Sequence, residues 1–338
     1  MTIHTVLGPI DRDALGLTSM HEHLLVDCRA LYAPPPSPPP NGDQVCIENL
    51  GWLHWNNQGL LDNLVVDDPE LVCAELSAFA GAGGRSVVDL TNIGLGRRVE
   101  QLPAIAEKSG VNVMVGCGWY RHPSHPPEVE ASTPEQLAQA MIDELDDGVG
   151  DTGIRPALIG EIGTSAPITS REVKVLTAAA WAALQTGAAI NIHVEAGGAH
   201  GLEVTELLIG EGVPPRRLIL SHMDERLDLD YHLALLGTGA ILEFDTFGME
   251  AYWEFPFGDP TDHERFQALG DLIRRGYVDQ IVLGCDVYTK TCHSAWGGQG
   301  YRHLPERVRP TLRDFYDISD EHLKTMLVST PASLLDRP

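Results

Sequence analysis

Short apolar runs alternate with amphipathic stretches along the whole chain, and eight of these runs have strand character. They lie at Thr18–Val26, Ser86–Asn92, Asn112–Tyr120, Ala157–Gly163, Ala189–Glu195, Leu218–Asp224, Ala240–Gly248 and Ile281–Val287. Runs such as LILS and IVLG have almost no polar position, as expected of a parallel strand buried on both faces. Helical segments fall between them. Asp68 followed by Pro69 offers a cap and a first-turn proline, and a second start lies at Ser132–Glu135. The segment from Ser170 to Gln185 sets Val173, Leu176, Ala180 and Leu184 on one face, with Gly187 as its stop. Repeated strand–helix units predict an α/β fold, a (β/α)8 TIM barrel. A doubly wound sheet with added elements is the alternative. It explains less well why polar residues recur at the ends of the first, fourth, fifth, sixth and eighth strands.

One segment breaks the rhythm. Residues 28–68 contain APPPSPPPNG and then WLHWNN, and the prolines favour an extended polyproline conformation. This reads as a long loop after the first strand. It is either a plain surface excursion or a lid or subunit contact, with Trp52, His54 and Trp55 as residues that could cover a site. With no clear linker, residues 1–338 are expected to form a single domain.

The polar residues at the strand ends carry the chemistry. In MHEHL, His21 and His23 share one face of a strand while Glu22 points the other way. Glu161 sits in ALIGEIG, His193 ends AINIHVE, His222 ends LILSHMD and Asp286 ends IVLGCD. In a barrel these positions converge on one mouth. A lone carboxylate there would be costly to bury, and coordination to a divalent cation would remove that cost. The expected metal ligands are therefore His21, His23, Glu161, His193, His222 and Asp286. Two ions are expected, zinc first, with Mn²⁺ or Co²⁺ as substitutes.

Charge and cysteine content narrow the class. Lys and Arg number 23 against 48 Asp and Glu, a net charge of −25, which excludes the basic footprint of a nucleic-acid binder and repels anionic lipid. No apolar run reaches the length of a membrane span, and the first residues lack a signal-peptide pattern. The six cysteines form no CxxC pair, which speaks against a zinc ribbon or a disulfide framework. A cytoplasmic enzyme acting on a small molecule is the expectation. GGQG at 297–300 lacks the Lys-Ser/Thr of a phosphate loop. His122 and His125, among prolines, are expected to be solvent-exposed.

With these motifs in view, the sequence resembles the phosphotriesterase family of the amidohydrolase superfamily. The resemblance runs through HEHLLVD, GGRSVVDLTNIGLGRR, VGCGWYRHP, ALIGEIGTS, INIHVE, LSHMDE, EFDTFG, LGCDVYTK and LVSTPASLLD. It implies that His21, His23 and Asp286 hold the more buried metal, that His193 and His222 hold the more exposed one, and that Glu161 bridges. The best-known members carry a carbamylated lysine where this chain has Glu161, and Lys174 lies too far along to replace it. Other branches use a glutamate. The departure weakens the inference of organophosphate activity.

The chemistry implied is hydrolysis by a hydroxide bridging the metals, with Asp286 accepting and passing on the proton. A carboxylic ester or lactone is the first expected substrate, an N-acyl amide the second and a phosphotriester the third; a non-catalytic binding protein is the contrasting class. By the same resemblance, Tyr120 and Arg226 are candidates to position the substrate, and a homodimer is implied. Glu225, Tyr288 and Lys290 could also reach the pocket. Arg97, Arg98, Arg121 and Lys290 suggest an anionic substrate such as a carboxylate, unless they neutralise surface acids.

Overall fold

The computed structural model describes residues 2–195, 197–254 and 257–337. Eight parallel strands form one sheet: β1 Thr18–Glu22, β2 Ser86–Asp89, β3 Asn112–Cys117, β4 Leu158–Thr164, β5 Ile190–Val194, β6 Leu218–Leu220, β7 Ile241–Phe244 and β8 Ile281–Leu283. Each pairs with its sequence neighbours, from β1 beside β2 through to β7 beside β8. The seam between β8 and β1 closes through other contacts. Asp286 N donates to His21 O at 3.1 Å. The Glu22 carboxylate accepts from Cys285 N at 3.2 Å and Val287 N at 3.1 Å. A Cβ on Gly284 would stand 2.9 Å from His21 O, so only glycine lets the two strands approach this closely. The fold is a (β/α)8 barrel.

Helices α1 Pro69–Gly81, α2 Leu102–Ser109, α3 Pro134–Asp147, α4 Ser170–Thr186, α5 Gly201–Gly210, α6 Leu229–Thr238 and α7 Asp262–Arg274 connect the strands, and α8 Arg309–Phe315 follows β8. Their starts obey local chemistry. The Asp68 side chain accepts from Glu70 N and Leu71 N at α1. Thr133 and Thr169 each build a capping box, at α3 and α4. Gly187, at φ 72°, stops α4. The buried face of α4 differs from the sequence expectation. Leu176 and Ala180 are buried, but Val173 and Leu184 are 36% and 49% exposed, and Val175, Ala179 and Ala183 face the core instead. Alanine makes most of this helix equally able to face inward, so apolar spacing alone did not fix its rotation.

Alternation along the strands divides the core in two. Met20, Val88, Met114, Leu158, Ile219, Ile241 and Val282 fill the barrel interior, which Ile3, Leu15, Leu334 and Leu335 close. Val87, Val113, Ile190, Leu218, Leu220, Leu242 and Leu283 face the helices. No helix among the described residues is long and apolar enough to cross a membrane. All six cysteines are unpaired.

The 28–68 segment carries more structure than a loop. It includes short helices at Leu50–Leu53 and Leu61–Leu64, and Val26–Asp27 pairs antiparallel with Val65–Val66.

Candidate metal centre and its cavity

The strands end earlier than their apolar patterns. β6 stops at Leu220 and β8 at Leu283, so His222 and Asp286 stand just beyond them. Both adopt left-handed backbone, with φ of 61° and 45°. Such conformations are uncommon for residues other than glycine and cluster at functional sites. Irregular pairing re-aims two further residues. The β1–β2 register shifts between Ser19 and Glu22, and the β4–β5 register shifts between Ile159 and Ile162. His21 and Glu161 lie within these shifts. Gly163 allows the crossing that follows: a Cβ there would collide with the Tyr120–Arg121 peptide.

All six expected ligands converge. His23 Nε2 lies 3.2 Å from Asp286 Oδ1 and 3.7 Å from Glu161 Oε1. His21 Nε2 lies 3.7 Å from both Glu161 Oε2 and Asp286 Oδ1. On the other side, Glu161 Oε2 is 2.9 Å from His193 Nδ1 and 3.1 Å from His222 Nε2. Oε1 of Glu161 thus faces His23, while Oε2 faces His21, His193 and His222. His21 Nε2 and Asp286 Oδ1 are buried without a hydrogen-bond partner. Unpaired buried polar atoms of opposite character, close together, fit a shared cation. The donor set and its spacing suit metal binding.

Carboxylates behind the imidazoles set their tautomers. Asp245 is fully buried and meets two rings at once: Oδ2 is 3.0 Å from His21 Nδ1 and Oδ1 is 3.1 Å from His222 Nδ1. Glu243 Oε2 approaches His21 Nδ1 at 3.1 Å and accepts from Asn191 and Ser221. His23 Nδ1 meets Thr91 Oγ1 at 2.9 Å. With Nδ1 so engaged, His21, His23 and His222 present Nε2 to the centre.

Proton affinities follow from this crowding. Burial alone would depress His21, but the Asp245 and Glu161 carboxylates override it and hold its pKa well above the histidine range. His222 is raised against burial in the same way, chiefly by Asp245. Burial would raise Glu161, yet the His21 charge and the hydrogen bonds from His193 and His222 hold it well below the usual range. His193, by contrast, is pushed down to about 4 by burial. Protons here occupy positions a cation would take, so metal binding should release them.

The centre opens into a cavity whose lining includes Cys28, Leu31, Leu95, Tyr120, Arg121, Glu195, Glu225 and Tyr288. Tyr120 is buried, with Oη 3.4 Å from His193 Nδ1. Arg226 is exposed and borders a smaller depression beside Val194 and Met223. Three of the four cations expected at the mouth, Arg97, Arg121 and Lys290, are paired with acids. Arg97 makes a two-pronged bond to Glu144, Arg121 pairs with Glu195, and Lys290 Nζ lies 2.6 Å from Asp62. Arg121 Nε is nevertheless buried without a partner. His122 and His125 are half-buried rather than exposed, because His125 Nε2 meets Tyr120 O at 2.6 Å. Lys174 Nζ binds the carbonyls of Val129, Glu130 and Ser132. His54 borders a separate cleft beside Met249 and Trp296.

Sequence reasoning passed over Asp245, Glu243 and Thr91. The only signal was the acid–apolar–acid wording of EFD at the end of β7.

A (β/α)8 barrel with this donor cluster at its C-terminal mouth belongs to the hydrolase barrels. More particularly, the chain is a member of the phosphotriesterase family, whose model matches residues 1–335. It is 31% identical to an N-acetyltaurine hydrolase of Dictyostelium discoideum over 98% of this chain and 97% of the relative. Its fold is similar to that of a resiniferatoxin-binding protein from Rhodobacter sphaeroides, at TM-score 0.95 and 35% identity, covering 99% of this chain and 95% of that one. A lactonase from Listeria monocytogenes matches at TM-score 0.81 and 25% identity, over the full length of both chains.

Proposed function

We propose that the protein is a binuclear metal-dependent hydrolase that cleaves the amide bond of a small N-acyl compound. The observation carrying the metal half is the Glu161 carboxylate set among four imidazoles, with one oxygen towards His23 and the other towards His21, His193 and His222. His21, His23 and Asp286 would hold one ion, His193 and His222 the other, and zinc is the expected metal. When bound, such a pair supplies an acidified water as nucleophile and polarises the carbonyl.

This chain's own residues do the remainder. Asp286 would hold the proton released on attack on the carboxylate oxygen not given to the cation, and return it to the leaving nitrogen. Tyr120, against His193, would orient the acyl oxygen. The unpartnered Arg121 Nε–H offers a donor to an anionic group on the substrate.

The sequence placed esters and lactones first. The similarity to an N-acetyltaurine hydrolase over nearly the whole chain reverses that order in favour of the amide. Ester or lactone hydrolysis stays as the second reading, supported by the lactonase neighbour. The test is a screen of zinc-loaded protein against N-acetylated amines with and without an acidic group, lactones, aryl esters and a phosphotriester. Turnover of the N-acetyl compounds is expected, strongest for the acidic ones. Two bound metals with no turnover of any class would instead support a binding protein. In Asp286→Asn, retained metal with near wild-type rates would remove the proton-transfer role.

A further inference from the structure

His21, His23 and His222 each have a polar side chain behind the ring, and His193 does not. His193 faces the centre through Nδ1, which lies 2.9 Å from Glu161 Oε2 and 2.8 Å from His222 Nε2. An imidazole that gives Nδ1 to a metal carries its proton on Nε2, and that N–H is almost always donated to a carboxylate, a carbonyl or water. His193 Nε2 is buried with no hydrogen-bond partner. Among the described residues, the one acid paired with that nitrogen is Glu195, whose Oε2 is still 3.9 Å away.

Glu195 is held elsewhere. The same Oε2 pairs with Arg121, and both side chains line the cavity. The Arg121 guanidinium lies 5.6 Å from the centre of the Tyr120 ring, and its Nε is also buried without an acceptor. Two unsatisfied buried nitrogens thus flank one carboxylate. Such groups are costly to leave unmet, and this part of the wall is one acceptor short. Glu225 lines the same cavity but makes no ion pair with Arg121 or His193 among the described residues. An anionic group on the substrate, set on the Arg121 guanidinium, would supply the missing acceptor.

We infer that Glu195 is a shared carboxylate: the substrate's anionic group takes its place on Arg121, and Glu195 turns to accept the His193 Nε2–H. Glu195 is then a positioning residue for His193 that acts only when an acidic substrate is bound. The inference rests on the metal-site and acidic-substrate reading above. The movement needed is small. Gly198 N donates to Glu195 O at 3.0 Å and holds the backbone, so rotation of the side chain has to bring Oε2 closer. A shift of about 1 Å reaches hydrogen-bond range. A carboxylate behind a metal-binding imidazole fixes the ring and raises its basicity as a ligand. The anion therefore tightens the hold on an ion at His193, and by reciprocity the ion tightens the hold on the anion. Neutral analogues leave Glu195 on Arg121 and gain neither.

The test reads metal affinity rather than turnover. Zinc is competed against a coloured chelator in wild type, Arg121→Met, Glu195→Gln and the double variant. Each is measured alone, with saturating ethanesulfonate, and with ethyl methyl sulfone, a neutral molecule of similar shape. In wild type, ethanesulfonate is expected to tighten one of the two zinc steps by about fivefold or more, and the sulfone to change neither. Arg121→Met releases Glu195 permanently, so it should reach the tightened value alone and gain nothing further from the anion. Glu195→Gln has no charge to pass on and should not respond. Absence of tightening in wild type overturns the inference. So does tightening that persists in Glu195→Gln, which is direct contact between anion and ions. A gain from Arg121→Met that survives in the double variant is the mere loss of a positive charge, and it overturns the inference too. If Glu195→Gln does not fold, the wild-type and Arg121→Met responses decide alone. Tightening without hydrolysis of any N-acetyl compound leaves the Glu195 inference standing and overturns the amidase reading. Hydrolysis of acidic N-acetyl compounds without tightening does the reverse.

Discussion

Asp245 joins the two imidazole groups through a single carboxylate, since it receives Nδ1 of both His21 and His222. Removing both of its acceptors should therefore weaken both ions together. Asp245→Ala is expected to lose about 10–100-fold in affinity for each, the usual cost of removing a carboxylate behind a metal-binding histidine. Thr91→Val touches only His23 and should weaken one ion alone. Competition with a coloured chelator would separate the two patterns. Stepwise loss in Asp245→Ala, with one site unaffected, would show that the carboxylate does not couple them. The convergence of the six candidate ligands was legible because each is a polar residue at the end of an otherwise apolar run. Asp245 and Glu243 were not, because acids in EFD look like ordinary alternation until β7 is seen to pass directly behind His21.

At the scale of elements, starts were read better than ends. All eight strands were found, yet the predicted β6 and β8 ran on to Asp224 and Val287. Apolar pattern persists past the last ladder bond because the loops there are buried too, and left-handed residues such as His222 and Asp286 leave no mark in hydropathy. The register shifts that aim His21 and Glu161 were equally invisible.

Glu22 shows a related gap. It points away from the metal ligands as expected, but it is fully buried and joins the ends of β1 and β8. Burial pushes its pKa up to about 8 from 4.5. A raised carboxyl pKa means the folded state holds a proton that the unfolded chain has already lost. Its stabilisation is complete below pH 4.5 and declines as pH rises through about 8. Metal-free wild type should lose up to about 1.4 kcal/mol per pH unit across that window from this group. Glu22→Gln cannot titrate there and should show a flatter profile. Urea unfolding of both proteins at several pH values measures the difference, and parallel profiles would mean that Glu22 is ionised in the fold.

The whole molecule carries a net charge of −25, and four of its carboxylates, Glu161, Asp286, Asp245 and Glu243, are buried close together at one point of it. These two repulsions respond differently to salt. Exposed charges are screened over about 10 Å at 0.1 M, whereas buried ones are screened far less. Surface repulsion should therefore ease in high salt, while the buried cluster continues to need cations. Binding two ions tightly at a free concentration of 1,000 times Kd stabilises by about 4 kcal/mol per site. For a chain of this size that corresponds to a rise in Tm of roughly 10 °C or more. Calorimetric scans of zinc-loaded and chelator-treated protein at 0.05 M and 0.5 M salt provide the comparison. The metal-free form should gain a few degrees from salt, and the gap between the two forms should survive. A gap that closes in high salt would mean the ions act on the acidic surface. A gap that persists places their effect in the barrel mouth, where Glu161 stands between the two groups of imidazoles.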